Sequence, residues 1–370
     1  MKKILSATYV DYMSDPRAYK INEGLTNEYI VDVLSFRRSC ENIPHTSANV
    51  INNKYYFSNV FLNLSLFWLD FIIHAIRGKY DIIVAHNYYL VLPLWVISHL
   101  TKKKTVYDSY ELYVPTKKTN LDLRQSFFYF IEKIAIRKFD LVIAANEERA
   151  RLMKAKFGLK KRPLTILNIS TSFDSDDSLK ITEKYPEINN INGRMILVYQ
   201  GFLGAGRDCS VFLKILKQLP SNYALLIIGG GPDLNYLKQL SKDIDIEDRI
   251  VFTGNIPMKD VHPLLKLCNF GLVSYPFSDL NNIYCSPNKI YEYPAAGLPM
   301  ICSSQHSITR ILRPYNIACF VDFMNIPETV SKIIKFTTDN SDFKIKLEKF
   351  LLDNSWEIEL NKLLLKIYQL

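Results

Sequence analysis

Cysteine, glycine and uninterrupted apolar sequence are all scarce in this chain, and each scarcity excludes something. The six cysteines (Cys40, Cys209, Cys268, Cys285, Cys302 and Cys319) show no CxxC spacing. Six scattered thiols in 370 residues are no disulfide framework and read as reduced thiols of a cytosolic protein. Thirteen glycines and sixteen prolines exclude collagen-like or linker-like material. No HExxH, GxSxG or Walker A sequence occurs, and the six histidines form no close pair at metal-ligand spacing. A metalloenzyme or serine hydrolase is therefore disfavoured. The first ten residues begin like a signal peptide, but Thr8 interrupts the apolar run and Asp11 ends it, so a first strand fits better. The strongest spanning candidate, Phe57 to Ile76, contains Asn59, Asn63, Asp70 and His74, each costly in hydrocarbon without a partner. A buried helix is expected there.

What is present describes a foldable globular chain: 48% hydrophobic, 22% charged and 13% aromatic residues. At 370 residues it exceeds the ~250 to 300 that one core usually supports, so two domains are expected. The net charge of +9 is uneven. Residues 1–170 hold 25 Lys/Arg against 15 Asp/Glu, a net +10, whereas residues 171–370 hold 21 against 22. Basic clusters at Lys102-Lys103-Lys104, Lys117-Lys118 and Lys160-Lys161-Arg162 suit an anionic membrane, an acidic ligand or nucleic acid, or are simply solvated.

Short β-branched runs alternate with helical-length stretches, the pattern of a parallel sheet covered on both faces. Six runs fall in the front half, from Lys3–Val10 to Thr165–Ile169, and six in the back half, from Met195–Tyr199 to Ala318–Val321. This predicts an α/β chain of two Rossmann-like domains: residues 1–170, a polar, turn-rich linker at 171–194, a second domain at 195–345, and C-terminal helical sequence at 346–370 packing on the rest.

Three segments of the back half suit an anionic ligand. Gly201-Phe202-Leu203-Gly204-Ala205-Gly206 follows a strand and precedes a helical pattern, where backbone amides receive phosphate, although an ordinary strand–helix turn reads the same way. Arg207 follows it, placed to fork onto a diphosphate. Gly229-Gly230-Gly231-Pro232 ends another strand at the carboxyl edge where open α/β sheets bind ligands; a tight turn before a helix is the alternative. Tyr284 to Pro299 offers Ser286 as a helix cap, Pro287 at the first helical position, and Lys289 and Glu292 three apart on one face. The cationic turn suits a phosphate and the carboxylate a pair of ribose hydroxyls, or the two simply pair with each other.

Taken together, Gly201 to Arg207, Gly229 to Pro232, Val251-Phe252-Thr253-Gly254 and Ser286 to Pro299 resemble the donor-binding half of a GT-B glycosyltransferase of family 4 (glycosyl transferases group 1). Asp15-Pro16-Arg17, Val106 to Leu112, Asn168 and Trp356-Glu357 resemble further motifs of that family in the same order, so the resemblance spans nearly the whole chain. It implies two Rossmann-like domains around a deep cleft, with a C-terminal helix at 346–370 crossing back to the first, and a metal-independent hexosyltransferase-type reaction. No cofactor is implied beyond a nucleoside-diphosphate sugar co-substrate, with UDP or GDP as the nucleotide. Arg207, Lys289 and Glu292 become the catalytic candidates, with the cations on the leaving diphosphate and Glu292 on the ribose. Gly204, Gly206, Gly230, Tyr284, Ser286, Pro287 and Asn288 become the donor-binding set, and Arg17, His86, Asn87, Tyr110 and Glu111 the acceptor-side set. For His86, a satisfied packing histidine is the alternative. Members retain anomeric configuration, usually without a separate protein base. Two departures stand out: Tyr284 occupies the place of the first glutamate of the E-x7-E motif, and Tyr110 that of the "HEL" histidine. A tyrosine with an ordinary pKa of ~10 is no base at neutral pH.

The resemblance implies a saccharide or lipid-linked saccharide acceptor held by the basic front domain, in the synthesis of a bacterial-type surface polysaccharide or glycolipid. It also implies a cytoplasmic protein peripheral to the membrane, docked on anionic lipid. In Arg124 to Lys138, Phe127, Phe130, Ile131 and Ile134 share one helical face, with Phe128 and Tyr129 away from it, as a membrane-docking surface or a buried helix. A nucleotide-sugar epimerase and a degenerate, binding-only relative are the competing readings. Nucleic-acid binding lacks a recognition motif.

Overall fold

The computed structural model of the protein describes residues 1–36, 46–53, 55–115, 122–169, 178–204, 207–339 and 342–370. Cys40, the Lys117-Lys118 cluster and the first part of the expected linker, 171–177, lie outside the described residues. The chain divides into two units, one formed by Met1–Asn168 with Glu357–Leu370 and the other by Ile169–Trp356.

The first unit alternates strand and helix: β1 (Lys3–Thr8), α1 (Pro16–Leu25), β2 (Ile30–Ser35), β3 (Asn49–Asn52), α2 (Val60–Arg77), β4 (Ile82–His86), α3 (Val91–Leu100), β5 (Lys104–Ser109), α4 (Leu123–Ala135), β6 (Leu141–Ala144), α5 (Glu147–Phe157) and β7 (Leu164–Thr165). The sheet runs β3-β2-β1-β4-β5-β6-β7, with every pair parallel. Its central strands are buried along nearly their whole length, as sequences such as Ile82-Ile83-Val84-Ala85 require. The strand order reverses between β1 and β4, and a ligand crevice is expected at the carboxyl ends of such a pair. Helix α1 begins there, capped by Asp15, which accepts from the Ala18 amide, with Pro16 at the first helical position.

The second unit repeats the plan with α6 (Ser178–Lys184), β8 (Met195–Gln200), α7 (Ser210–Gln218), β9 (Tyr223–Ile228), α8 (Leu234–Asp243), β10 (Ile250–Gly254), α9 (Met258–Leu265), β11 (Phe270–Val273), α10 (Leu280–Ile283), α11 (Lys289–Ala295), β12 (Met300–Ser303), α12 (His306–Leu312), β13 (Ala318–Val321), α13 (Ile326–Thr338) and α14 (Phe343–Asp353). Its strands run β10-β9-β8-β11-β12-β13, again all parallel. One core cluster joins Leu197 and Tyr199 of β8, Leu225 and Ile227 of β9, and Phe212 and Leu216 of α7. The last helix, α15 (Trp356–Tyr368), carries the chain back to the first unit from Glu357 onward. There the Glu359 carboxylate accepts from the Leu167 amide at 2.9 Å, and Leu360 packs on Gly24.

The two α/β sheets agree with the sequence pattern, and several details differ. Within the expected linker, residues 178–191 form α6 and a 3-10 turn that belong to the second unit, anchored by buried Ile181, Ile188 and Ile191. Helix α14 also belongs to the second unit, so only α15 returns to the first. Strand β3 carries no strong β signal, and β7 is two residues rather than five. Helix α2 is not buried as expected: Asn63, Leu64, Phe67, Phe71 and Ala75 form its buried stripe, while Val60, Phe61, Leu69 and Ile76 face outward. By length and composition α2 could cross a membrane, but its stripe packs against the unit as a surface helix does. Helix α4 buries Phe128, and the face with Phe127, Phe130 and Ile134 is the exposed one.

Candidate active site

In the second unit the strand order reverses between β8 and β11, and the candidate site lies at their carboxyl ends. Beyond β8 and β9 the two chain tails continue side by side. The Gly201 amide donates to the Ile228 carbonyl at 2.8 Å and the Leu203 amide to the Gly230 carbonyl at 2.9 Å. This close approach dictates glycine: a Cβ on Gly229 would stand 2.0 Å from the Gly201 oxygen and one on Gly231 2.1 Å from the Leu203 oxygen, with both at positive φ. The two glycine segments singled out in the sequence thus meet at one edge.

They border a cavity of about 550 Å³. Gly230, Ser286, Pro287, Asn288, Lys289 and Glu292 of the expected set line it, together with Gln200, Phe202, Asn255 and Tyr275. Arg207, Gly204 and Tyr284 are not in the lining; Gly204 sits against the Phe202 ring, and Tyr284 stacks on His306 with centroids 6.5 Å apart. Gly206 lies outside the described residues. Ser286 and Pro287 do not open a helix as cap and first residue. Helix α11 starts at Lys289 after Asn288, and the Pro287 carbonyl accepts a longer, three-residue bond from the Ile290 amide at 3.4 Å.

Lys289 is the unusual group. Among the described residues its ammonium has no hydrogen bond or ion pair; it lies 4.2 Å from the centroid of the Tyr199 ring and 5.9 Å from that of Tyr275. Burial, and then the charge of Arg207, bring its pKa down to about 8. Arg207 stands over Tyr275, which lines the cavity, its guanidinium carbon 4.1 Å from the ring centroid, with one Nη1 hydrogen bond to Asn282 Oδ1 at 3.2 Å. The Glu292 carboxylate does not pair with Lys289 across the helix turn; it accepts from Gln200 Nε2 at the end of β8. Two cations without carboxylate partners among the described residues, beside a carboxylate and an amide, suit a ligand with an anionic end and a hydroxylated end.

The first-unit candidates separate into two groups. Arg17 and His86 form a buried network and do not face a ligand space. Arg17 Nε lies 3.1 and 3.0 Å from the two Asp108 oxygens, Nη2 lies 2.7 Å from Oδ1, and Nη1 donates to the Ile166 carbonyl at 2.9 Å. The two nitrogens of His86 are taken by Asp108 at 3.0 Å and Ser6 at 3.1 Å. Burial would raise the Asp108 carboxyl, but Arg17 and His86 outweigh it and bring the pKa down to about 2. Asn87, Tyr110 and Glu111 sit at the ends of β4 and β5. The Tyr110 hydroxyl donates to Asp15 Oδ2 at 2.9 Å and accepts from Asn87 Nδ2 at 3.2 Å. Burial and the Asp15 charge raise its pKa well above the usual value, so it holds its proton. Glu111 accepts from the Tyr113 hydroxyl at 3.0 Å and is raised by burial.

Sequence reasoning misses Gln200, Tyr199 and Tyr275, because none belongs to a recognisable motif. Asking which side chains end the two strands at the reversal would have found Gln200 and Tyr275.

The family described as glycosyl transferases group 1 matches residues 181–350. No curated protein matches the chain at the level of sequence. Among solved structures, sucrose-phosphate synthase from Thermosynechococcus elongatus is similar over 100% of this chain and 99% of its own, with a TM-score of 0.75 and 16% identity. Anabaena HepE, solved in complex with UDP and glucose, is similar over 100% of both chains, with a TM-score of 0.75 and 13% identity. The lipopolysaccharide outer core galactosyltransferase WaaB is similar over 100% and 99%, with a TM-score of 0.68 and 13% identity.

Proposed function

We propose, for a chain of GT-B fold whose residues 181–350 match the glycosyl transferases group 1 family, that it moves a sugar from a nucleoside-diphosphate sugar to a saccharide or lipid-linked saccharide acceptor. The observation that carries this reading is the Lys289 ammonium, unpaired among the described residues in the lining of a cavity of about 550 Å³, with Arg207 over the neighbouring Tyr275 ring. The complex of HepE with UDP supports a nucleoside diphosphate as the donor's anionic part.

In the transfer, the bond from the sugar's anomeric carbon to the diphosphate oxygen breaks and a bond to the acceptor oxygen forms. Negative charge grows on the leaving diphosphate, where Arg207 and Lys289 offset it. Glu292, held by Gln200, accepts from the ribose hydroxyls. With retention, the leaving phosphate takes the acceptor's proton on the same face, which asks nothing of Tyr110. The first unit, with Asn87 and Glu111 at its carboxyl edge, holds the acceptor.

A role in surface polysaccharide or glycolipid synthesis, with the protein peripheral on an anionic leaflet, is supported by the exposed apolar faces of α2 and α4 on a unit of excess positive charge. The test of the catalytic reading is turnover of Arg207→Ala and Glu292→Ala. Loss of turnover in folded protein supports the site, and full activity in both removes it.

A further inference from the structure

This chain fixes its arginines in two opposite ways. Arg17 is buried, its charge neutralised by the Asp108 carboxylate on Nε and Nη2, with Nη1 on a carbonyl and the Tyr110 ring 5.9 Å away. Arg207 is held by the face of Tyr275 and by one bond to Asn282. Lys289 is held by the face of Tyr199 and, more distantly, by that of Tyr275. Among the described residues no carboxylate forms an ion pair with either cation.

The rings are themselves rigidly placed. Tyr199 is fully buried in the core of the second unit, 5.1 Å from the Phe212 ring, with its hydroxyl on the Phe202 carbonyl at 3.3 Å. Tyr275 lies just past β11, and its backbone is clamped on both sides by the end of β12 and the loop after it. Its amide donates to Ser303 Oγ at 3.0 Å, and its carbonyl accepts from Gln305 Nε2, with Ser303 and Gln305 both buried.

We infer that Tyr275 is a positioning residue for the donor's diphosphate: its ring, which lines the cavity, holds Arg207 and flanks Lys289 by the π-face, so that both cations stay beside it with N–H donors left for an anion. A carboxylate in that place would orient the cations equally well but would neutralise them and compete with the phosphate. The ring attracts a cation without accepting its strong hydrogen bonds. This rests on the donor-site reading above and adds to it the residue that keeps the anion site open.

The test is calorimetric titration of the full chain with inorganic pyrophosphate and with UDP, for the wild type, Tyr275→Phe and Tyr275→Leu. Tyr275→Phe keeps the ring and should bind within ~2-fold of wild type, whereas Tyr275→Leu should bind ~10-fold or more weakly. Equal binding by Tyr275→Leu and wild type would overturn the inference; no binding of either probe by wild type would instead overturn the donor-site reading. Should Tyr275→Leu fail to fold, NMR of the arginine-labelled wild type decides. The Arg207 side-chain signals, assigned by their loss in Arg207→Lys, should lie upfield of the other arginines through the ring current. Their coincidence with ordinary arginine positions would overturn the inference.

Discussion

Tyr110 donates its hydroxyl hydrogen to Asp15 Oδ2 at 2.9 Å, and Asp15 in turn caps α1 by accepting from the Ala18 amide at 3.1 Å. The phenol therefore ties the end of β5 to the start of α1, across the strand reversal of the first unit. Tyr110→Phe should cost about 1–3 kcal/mol of stability, because Asp15 and Asn87 each lose a partner. Turnover and its pH profile should change little. Thermal unfolding and a pH–rate profile check this; a hundredfold loss of turnover at unchanged stability would restore a chemical role to Tyr110.

Lys289 gives the donor site a pH dependence. Its pKa of about 8 in the free protein means that the ammonium loses its charge as pH rises past that value, so affinity for a diphosphate should decline above about pH 8. Lys289→Arg keeps the charge throughout and should flatten the decline. Binding measured from about pH 7 to 9.5 for both proteins tests this, and an identical decline in Lys289→Arg would place the titrating group elsewhere.

Glu132 should make stability depend on pH. It is buried, accepting from the Tyr107 hydroxyl at 2.9 Å and Ser109 at 3.2 Å, and burial raises its pKa to about 7. Because the folded pKa lies above the unfolded one of ~4.5, the unfolded state releases its proton first as pH rises. Stability should fall between about pH 4.5 and 7 and then level off. Glu132→Gln should remove this decline, gaining ~3 kcal/mol at most at about pH 8. Chemical denaturation across pH settles it; no change in the slope would rule the carboxyl out.

Arg17 should prove structural. Arg17→Ala leaves the Asp108 charge buried and partly unpaired, and should cost ~3–5 kcal/mol of stability. Pyrophosphate affinity of whatever fraction remains folded should be that of the wild type, because both cations proposed for that ligand belong to the second unit. A selective loss of anion binding would contradict this.

The exposed aromatic face of α4 should bind membranes. Wild-type protein should sediment with vesicles of anionic phospholipid and release as salt is added, and the Phe127→Ser/Phe130→Ser double variant should bind more weakly. Binding that is absent or indifferent to salt would leave those side chains unexplained by a lipid surface.

How far the sequence could be read followed from which interactions are local. Ile82-Ile83-Val84-Ala85 announces a doubly covered strand, and the glycines at 229–231 announce a close backbone approach, because both effects act on the residues that show them. Lys289 and Glu292 stand out by motif and spacing, and the structure brings both to one cavity. Asp108 was not legible as the partner of Arg17, since 91 residues separate them and only the packed sheet joins them. Helix α2 differs from expectation because large apolar residues such as Phe61, Leu69 and Ile76 lie outside its buried stripe, and only the packing shows which stripe is used. Tyr275 escaped because an aromatic at a strand end looks like ordinary core until a guanidinium is seen lying on it.

The central claim is a nucleoside-diphosphate sugar site around Lys289, Arg207 and Glu292. It is tested most directly by incubating the full chain with UDP- and GDP-sugars and an extract of lipid-linked saccharides, and following release of free UDP or GDP by mass spectrometry. The account predicts release from one nucleotide class by the wild type, and loss of that release in Glu292→Ala of unchanged melting temperature. Release by Glu292→Ala at the wild-type rate would contradict it.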